Sequence, residues 1–198
     1  MLLPESWTEW LPFLGALEDY WQPVPRYALI GWSIFYTFFF YELLSGGAFP
    51  NYMNGVFVPL HEGGHLLFAW FGQFIAVAGG TFLQLAAPVM LAIYFGFRRQ
   101  SPGVTFCMFF FFQQFSPIAT YMADARAQEL PLLTVGSGND VIHDWNYLFG
   151  KLGLLAHDTQ IASATRVIGW LGMLATVGWF VWRGLSQTSP PRVRKEWE

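Results

Sequence analysis

Charge is what this chain has least of. Asp, Glu, Lys and Arg make up 12% of its 198 residues, about half the share usual in a soluble domain. With 54% hydrophobic and 20% aromatic residues, it cannot clothe a water-facing surface and reads as an integral membrane protein. Basic excess is missing as well: a net charge of −3 and a pI near 5.8 exclude nucleic acid as a partner. Cysteine is reduced to Cys107 in an apolar run, which excludes an internal disulfide and any cysteine-based zinc cluster. That thiol is expected to be packed or lipid-facing. The first 25 residues lack a basic start and carry Glu5, Glu9, Glu18 and Asp19, so they do not read as a signal peptide.

Histidine is scarce too, with four in the chain, and this makes the spacing of two of them informative. His61-Glu62-Gly63-Gly64-His65 is an HExxH sequence in a stretch otherwise almost free of charge. On a helix, His61 and His65 share one face and can grip one metal ion, with Glu62 beside them as general base. The chemistry expected of such a set is zinc hydrolysis: three protein ligands, and an open position where water is acidified to a pKa of about 7. The opposing interpretation is two helix-packing histidines and a buried glutamate, but ionisable groups deep in an apolar segment are costly and tend to be functional. Gly63 and Gly64 each cost about 1 kcal/mol in helix propensity. Their presence leaves room either for a neighbouring or substrate backbone near the metal or for simple helix packing.

Around this motif the expected architecture is all-α: about five transmembrane helices in one membrane domain, 1–198, with an interfacial helix over 1–25, a core over 26–184 and a cytoplasmic tail over 185–198. Trp7, Trp10, Leu11, Leu14, Leu17 and Trp21 recur at helical spacing and suit the headgroup level. Spans are expected over Tyr27–Leu44, from about Tyr52 or Asn54 through the HEGGH, over Thr81–Phe97, over Pro102–Tyr121 and over Asp158–Trp182. Ala78-Gly79-Gly80 is expected to divide the second from the third, because Leu66–Phe97 holds no charge and is too long for one crossing of about 20 residues. Pro59 should bend the second span. Phe109 to Phe112 face all sides of a helix and read as lipid-exposed. Glu42 is either a snorkelling carboxylate or a partner of the metal site; Gln84 either bonds a substrate backbone or packs a neighbouring helix. Asp158 is a plausible helix cap. With five spans, Arg98, Arg99, Arg183, Arg192, Arg194 and Lys195 fall on one side, so the N-terminus is expected outside and the C-terminus in the cytoplasm.

Two histidines do not complete a zinc site. The remaining candidates are His143 and His157, with Asp124, Asp144 and Asp158 as carboxylates. His143 is the expected third ligand, with Asp144 orienting a ligand or serving in its place and Asp124 in reserve, either paired with Arg126 or reaching the metal. Val141–Leu155 reads as an amphipathic or re-entrant piece that lines the site.

HEGGH in a membrane span, followed by Gly79-Gly80 and the polar Gln84, resembles the site-2 protease family of intramembrane zinc metalloproteases. The resemblance covers Val56–Gln84 and implies two His and an Asp from a later helix as ligands, the Glu as general base, and peptide bonds of membrane-associated substrates as targets. The family's NPDG-like or LDG-like aspartate motif is not present; Asp124 and the cluster His143-Asp144-Trp145-Asn146 are its nearest substitutes. The chain is also similar to uncharacterised bacterial membrane proteins combining HExxH, Gly-Gly, Asp-Ala-Arg and His-Asp-Trp, which implies a shared metal site in the bacterial inner membrane. The expected function is therefore intramembrane zinc proteolysis, with Zn2+ as cofactor and membrane lipid and a membrane-associated peptide or protein as partners. A zinc-dependent hydrolase of a lipid or small amide and a non-enzymatic metal-binding protein stand as alternatives.

Overall fold

A computed structural model describes residues 20–130 and 142–187, and among them the regular structure is entirely helical. The expected interfacial helix lies mostly outside these residues, as do the Gly136–Asp140 loop and residues 188–198. Residues 20–25 are not helical, and Trp21 packs edge-on against Trp179 with Arg99 and Arg183 over its ring.

Helix α1 spans Arg26–Ser45, entered through Pro25 and ended by Gly46 in the left-handed region at φ 72°. Glu42 accepts a hydrogen bond from the Phe49 amide across this turn (3.3 Å) and does not reach the metal-type cluster described below. Helix α2, Phe49–Phe68, starts with Pro50 in its first turn and continues through Pro59. The sharp break after it comes at Gly72, at φ 90°, and helix α3 then runs unbroken over Gln73–Phe97. Gly79-Gly80 therefore does not divide two spans. Gly72 takes the backbone conformation that excludes side chains, while Gly79 and Gly80 stay helical and let α2 approach.

The expected fourth span is two helices, α4 (Ser101–Gln113) and α5 (Phe115–Ala123). Pro117 has no amide hydrogen to give the Gln113 carbonyl four residues back, which loosens the ladder at this junction. The phenylalanine run is not a lipid-facing surface: Phe109 and Phe110 are buried, packing with Tyr36, Phe39, Met173 and Phe180 into the main aromatic core. Ring centroids there lie 4.9 Å (Tyr36–Phe109) and 5.2 Å (Phe39–Phe109) apart, within the favoured range for aromatic pairs. Helix α6 is short, Asp144–Leu152, and closes at Gly153 in the left-handed region. Helix α7, Asp158–Leu185, packs along α4 and α5. Asp158, expected as its cap, is fully buried and takes two 2.8 Å contacts from the Arg126 guanidinium. Arg126 is thus paired with Asp158 rather than with Asp124.

Among the described residues three helices are long and apolar enough to cross a membrane: α1, α3 and the stretch Leu155–Leu185 that contains α7. Each carries apolar side chains that no protein covers, such as Ile30, Ile34 and Phe38 on α1, Phe82 and Met90 on α3, and Val167, Leu171 and Leu174 on α7. Such a surface is compatible with a lipid bilayer.

Candidate metal centre

Among the described residues helices α2 and α3 make the most extensive contact, and glycine is the reason. Gly64 is buried, and a Cβ there would collide with the Gly79 carbonyl and stand 2.8 Å from Gly80 Cα. The two backbones touch. This brings the His61 and His65 rings directly over Gly80, where a Cβ would lie 2.6 Å from His65 Nε2 and 2.9 Å from His61 Cε1. The bare backbone of α3 is the floor of the site.

That floor also fixes the rings. His65 Nδ1 is 2.9 Å from the Ala76 carbonyl oxygen, which can only accept, so Nδ1 carries a hydrogen and, in the neutral ring, Nε2 keeps its lone pair. His61 Nδ1 is 3.0 Å from Gln84 Oε1 and in that arrangement likewise donates. The two Nε2 atoms then face each other at 3.1 Å, and Asp144 Oδ2 lies 3.0 Å from the first and 3.4 Å from the second. In this arrangement three electron-pair donors face one another, which either a proton shared among them or a metal cation satisfies. Ligand atoms held about 2.0–2.1 Å from a tetrahedral zinc stand about 3.3 Å from one another. The three observed separations bracket that figure, so His61, His65 and Asp144 could hold a metal ion. Burial works against the charge on Asp144, but His61 and His65 outweigh it and hold the carboxyl below the usual carboxylate range. The anionic form is the one a metal takes.

Asp144 reaches the site because α6 begins there. His143, the expected third ligand, is not part of the group. Its Nδ1 caps α6 by accepting from the Asn146 amide (3.2 Å), and its Nε2 donates to Asp124 Oδ2 (3.2 Å). The ring is buried against Tyr121, centroids 4.3 Å apart. With both nitrogens occupied, His143 anchors the helix start that aims its neighbour at the metal site. Asp124 is taken up by this cap and by the amides of Glu129 (2.9 Å) and Leu130 (3.1 Å). Burial tends to raise its pKa, but the two backbone amides, helped by His143, prevail and leave it lowered. His157 sits at the exposed start of α7, bonded to Gln160 (2.8 Å), away from the group.

Glu62 is half-buried beside His61 on α2. It makes no hydrogen bond or ion pair among the described residues, so its carboxylate is not committed to a structural partner. Gln84 touches the site through His61 and is held from behind by Gln114, whose oxygen accepts from Gln84 Nε2 at 2.7 Å. Two residues here escape sequence reasoning. Tyr121 accepts from the Asp144 amide through its hydroxyl (3.2 Å), and no local pattern marks it. Gln114 does leave a signal: with Gln113 it forms a pair of amides in an apolar run, where polar groups are costly and need partners.

No protein-family model matches the chain, and no curated protein and no solved structure matches it either.

Proposed function

We propose that this chain is an intramembrane zinc metalloprotease. The observation that carries the reading is the meeting of His61, His65 and Asp144 within bonding reach of one cation, with the uncommitted Glu62 next to them. The resemblance to site-2 proteases supports it, because that family pairs the two HExxH histidines with an aspartate from a later helix, and Asp144 opens such a helix. On this reading α2 and the α4–α5 pair join the three long apolar helices to make five crossings. The N-terminus is then outside and the C-terminus cytoplasmic in a bacterial inner membrane.

Zinc, when bound, supplies Lewis-acid polarisation of a scissile carbonyl and acidifies the attacking water. Every other role belongs to the chain. Asp144 and the two imidazoles hold the cation, the Ala76 carbonyl and Gln84 keep the rings aimed, and Tyr121 steadies the backbone of Asp144. Glu62 takes a proton from the attacking water at its carboxylate and delivers it to the leaving amine. The His61 and His65 side chains are 16% and 25% exposed, so the site is partly open to water. A helical substrate must unwind first, because its carbonyls are otherwise engaged in intrahelical bonds.

The test is reconstitution with zinc in proteoliposomes, offering a labelled membrane-spanning peptide and, in parallel, labelled phospholipid. Peptide cleavage that a chelator stops, and that Glu62→Gln loses while still binding zinc, is the expected result. Cleavage of lipid alone would move the activity to another class of hydrolase, and wild-type turnover by Glu62→Gln would remove Glu62 from the chemistry.

A further inference from the structure

Behind His61 lies a feature of which the metal-site reading uses only the near end, Gln84 with Gln114 behind it. Gln84 on α3, Gln114 at the α4–α5 junction and Gln113 at the end of α4 are all buried, at 8%, 0% and 1% exposure, and they are bonded in series. Gln84 Nε2 donates to Gln114 Oε1 (2.7 Å), Gln114 Nε2 to Gln113 Oε1 (2.6 Å), and Gln113 Nε2 to Asn54 Oδ1 (2.8 Å), with a longer bond from Gln114 Nε2 to Asn54 Oδ1 (3.5 Å). Asn54 is seven residues before His61 on α2, two turns or about 10 Å away. A row of four amides thus runs back beneath α2 from the metal site to Asn54.

An amide has a donor end and an acceptor end of nearly the same shape, so such a row has two self-consistent directions. In the direction just described, every NH2 points toward Asn54, and Gln84 presents oxygen to His61. His61 then carries its hydrogen on Nδ1 and offers the Nε2 lone pair to a metal. If all four amides turn over, the spacings are kept but Gln84 presents NH2 to His61 Nδ1. The hydrogen must then sit on Nε2, between His61 and Asp144, where it blocks coordination.

We infer that Asn54, Gln113 and Gln114 are positioning residues whose shared orientation decides which nitrogen of His61 is free for a metal. This rests on the metal-site reading above. Asn54 is the end of the row away from the metal site, bonded among the described residues only to Gln113 and Gln114, so a substitution there can set the direction without touching His61. A carboxylate in place of Asn54 can only accept and locks the metal-competent direction; an apolar side chain leaves the direction unset.

Zinc affinity of the full-length protein, measured by chelator competition with Zn2+ alone, is expected to be at least as high in Asn54→Asp as in wild type. It is expected to be about tenfold or more lower in Asn54→Leu and in Gln113→Leu, the usual size of an outer-shell effect. A purely structural role predicts the opposite order, because a carboxylate in this setting is the costlier replacement. Zinc binding by Asn54→Leu at wild-type strength, or weaker binding by Asn54→Asp than by Asn54→Leu, overturns the inference. The 15N signals of His61 in metal-free protein give a second readout, with more of the Nδ1–H form expected in Asn54→Asp than in Asn54→Leu. Should wild type bind no zinc, the proposed function fails, while the tautomer comparison still decides the amide row: equal tautomer populations in the two variants would refute it.

Discussion

Replacing three glycines one at a time by alanine separates what the α2–α3 contact does for the fold from what it does for the metal site. Each replacement gains about 1 kcal/mol of helix propensity, so differences among the three report their surroundings. At Gly63 the new methyl meets only Leu83 Cδ2 at 3.9 Å, an ordinary contact, and Gly63→Ala should be slightly stabilised with unchanged zinc affinity. At Gly64 it meets backbone, with Gly79 C at 2.7 Å and Gly80 Cα at 2.8 Å. Carbon contacts settle at about 3.5–4.0 Å, so the helices must separate by most of an ångström. Overpacking of this kind costs about 1–3 kcal/mol, and Gly64→Ala should lose both stability and zinc.

Gly80→Ala is the informative case. Its methyl falls 2.6 Å from His65 Cε1 and Nε2 and 2.9 Å from His61 Cε1. The rings can retreat only by leaving the Ala76 carbonyl and Gln84 that aim them. Propensity gained and crowding incurred largely offset each other, so the unfolding temperature should move little. Ligand atoms shifted by close to 1 Å, however, lie far outside the tolerance of about 0.2 Å for zinc bonds. Thermal unfolding and chelator competition on the three purified variants in one detergent would measure both quantities. Wild-type zinc affinity in Gly80→Ala, or a loss in Gly63→Ala equal to that in Gly64→Ala, would refute the geometry on which the site rests.

The assignment of the third ligand can be checked with Asp144→Ala and His143→Ala: the first should abolish zinc binding with the helices intact, and the second should retain zinc at reduced affinity while lowering the unfolding temperature, because the α6 cap is lost. Acid sensitivity tests the Asp124 cap. Its pKa is lowered in the folded protein, so the stability it contributes is fully present above its unfolded value of about 3.9 and is lost as pH falls through the lower folded one. Asp124→Asn should therefore be less stable than wild type at neutral pH, with the difference narrowing below about pH 4; a constant gap in denaturant midpoint across that range would contradict the cap.

How far residues alone lead depends on whether a feature is set by neighbours in sequence or by partners in space. The pairing of His61 with His65 and the place of Glu62 beside them follow from a four-residue interval on a helix, and the apolar composition demands helices with outward-facing Ile, Leu and Phe. These depend on backbone periodicity and need no tertiary partner. Asp144 and His143 are a different matter, being adjacent, both polar and both able to bind metal. Only the packing of α6 against Asp124, Ala125 and Tyr121 decides that the histidine caps the helix and the aspartate turns toward His61. The same holds for the glycines. Gly79-Gly80 reads as a break, yet the chain turns at Gly72, because Gly79 and Gly80 lie where α2 must come within backbone contact. Phe109 and Phe110 are core for a similar reason, as α1 and α7 close over them. Sequence spacing set which groups could act together; the close approach of α2 to α3, with the start of α6 brought against His61 and His65, decided which of them meet.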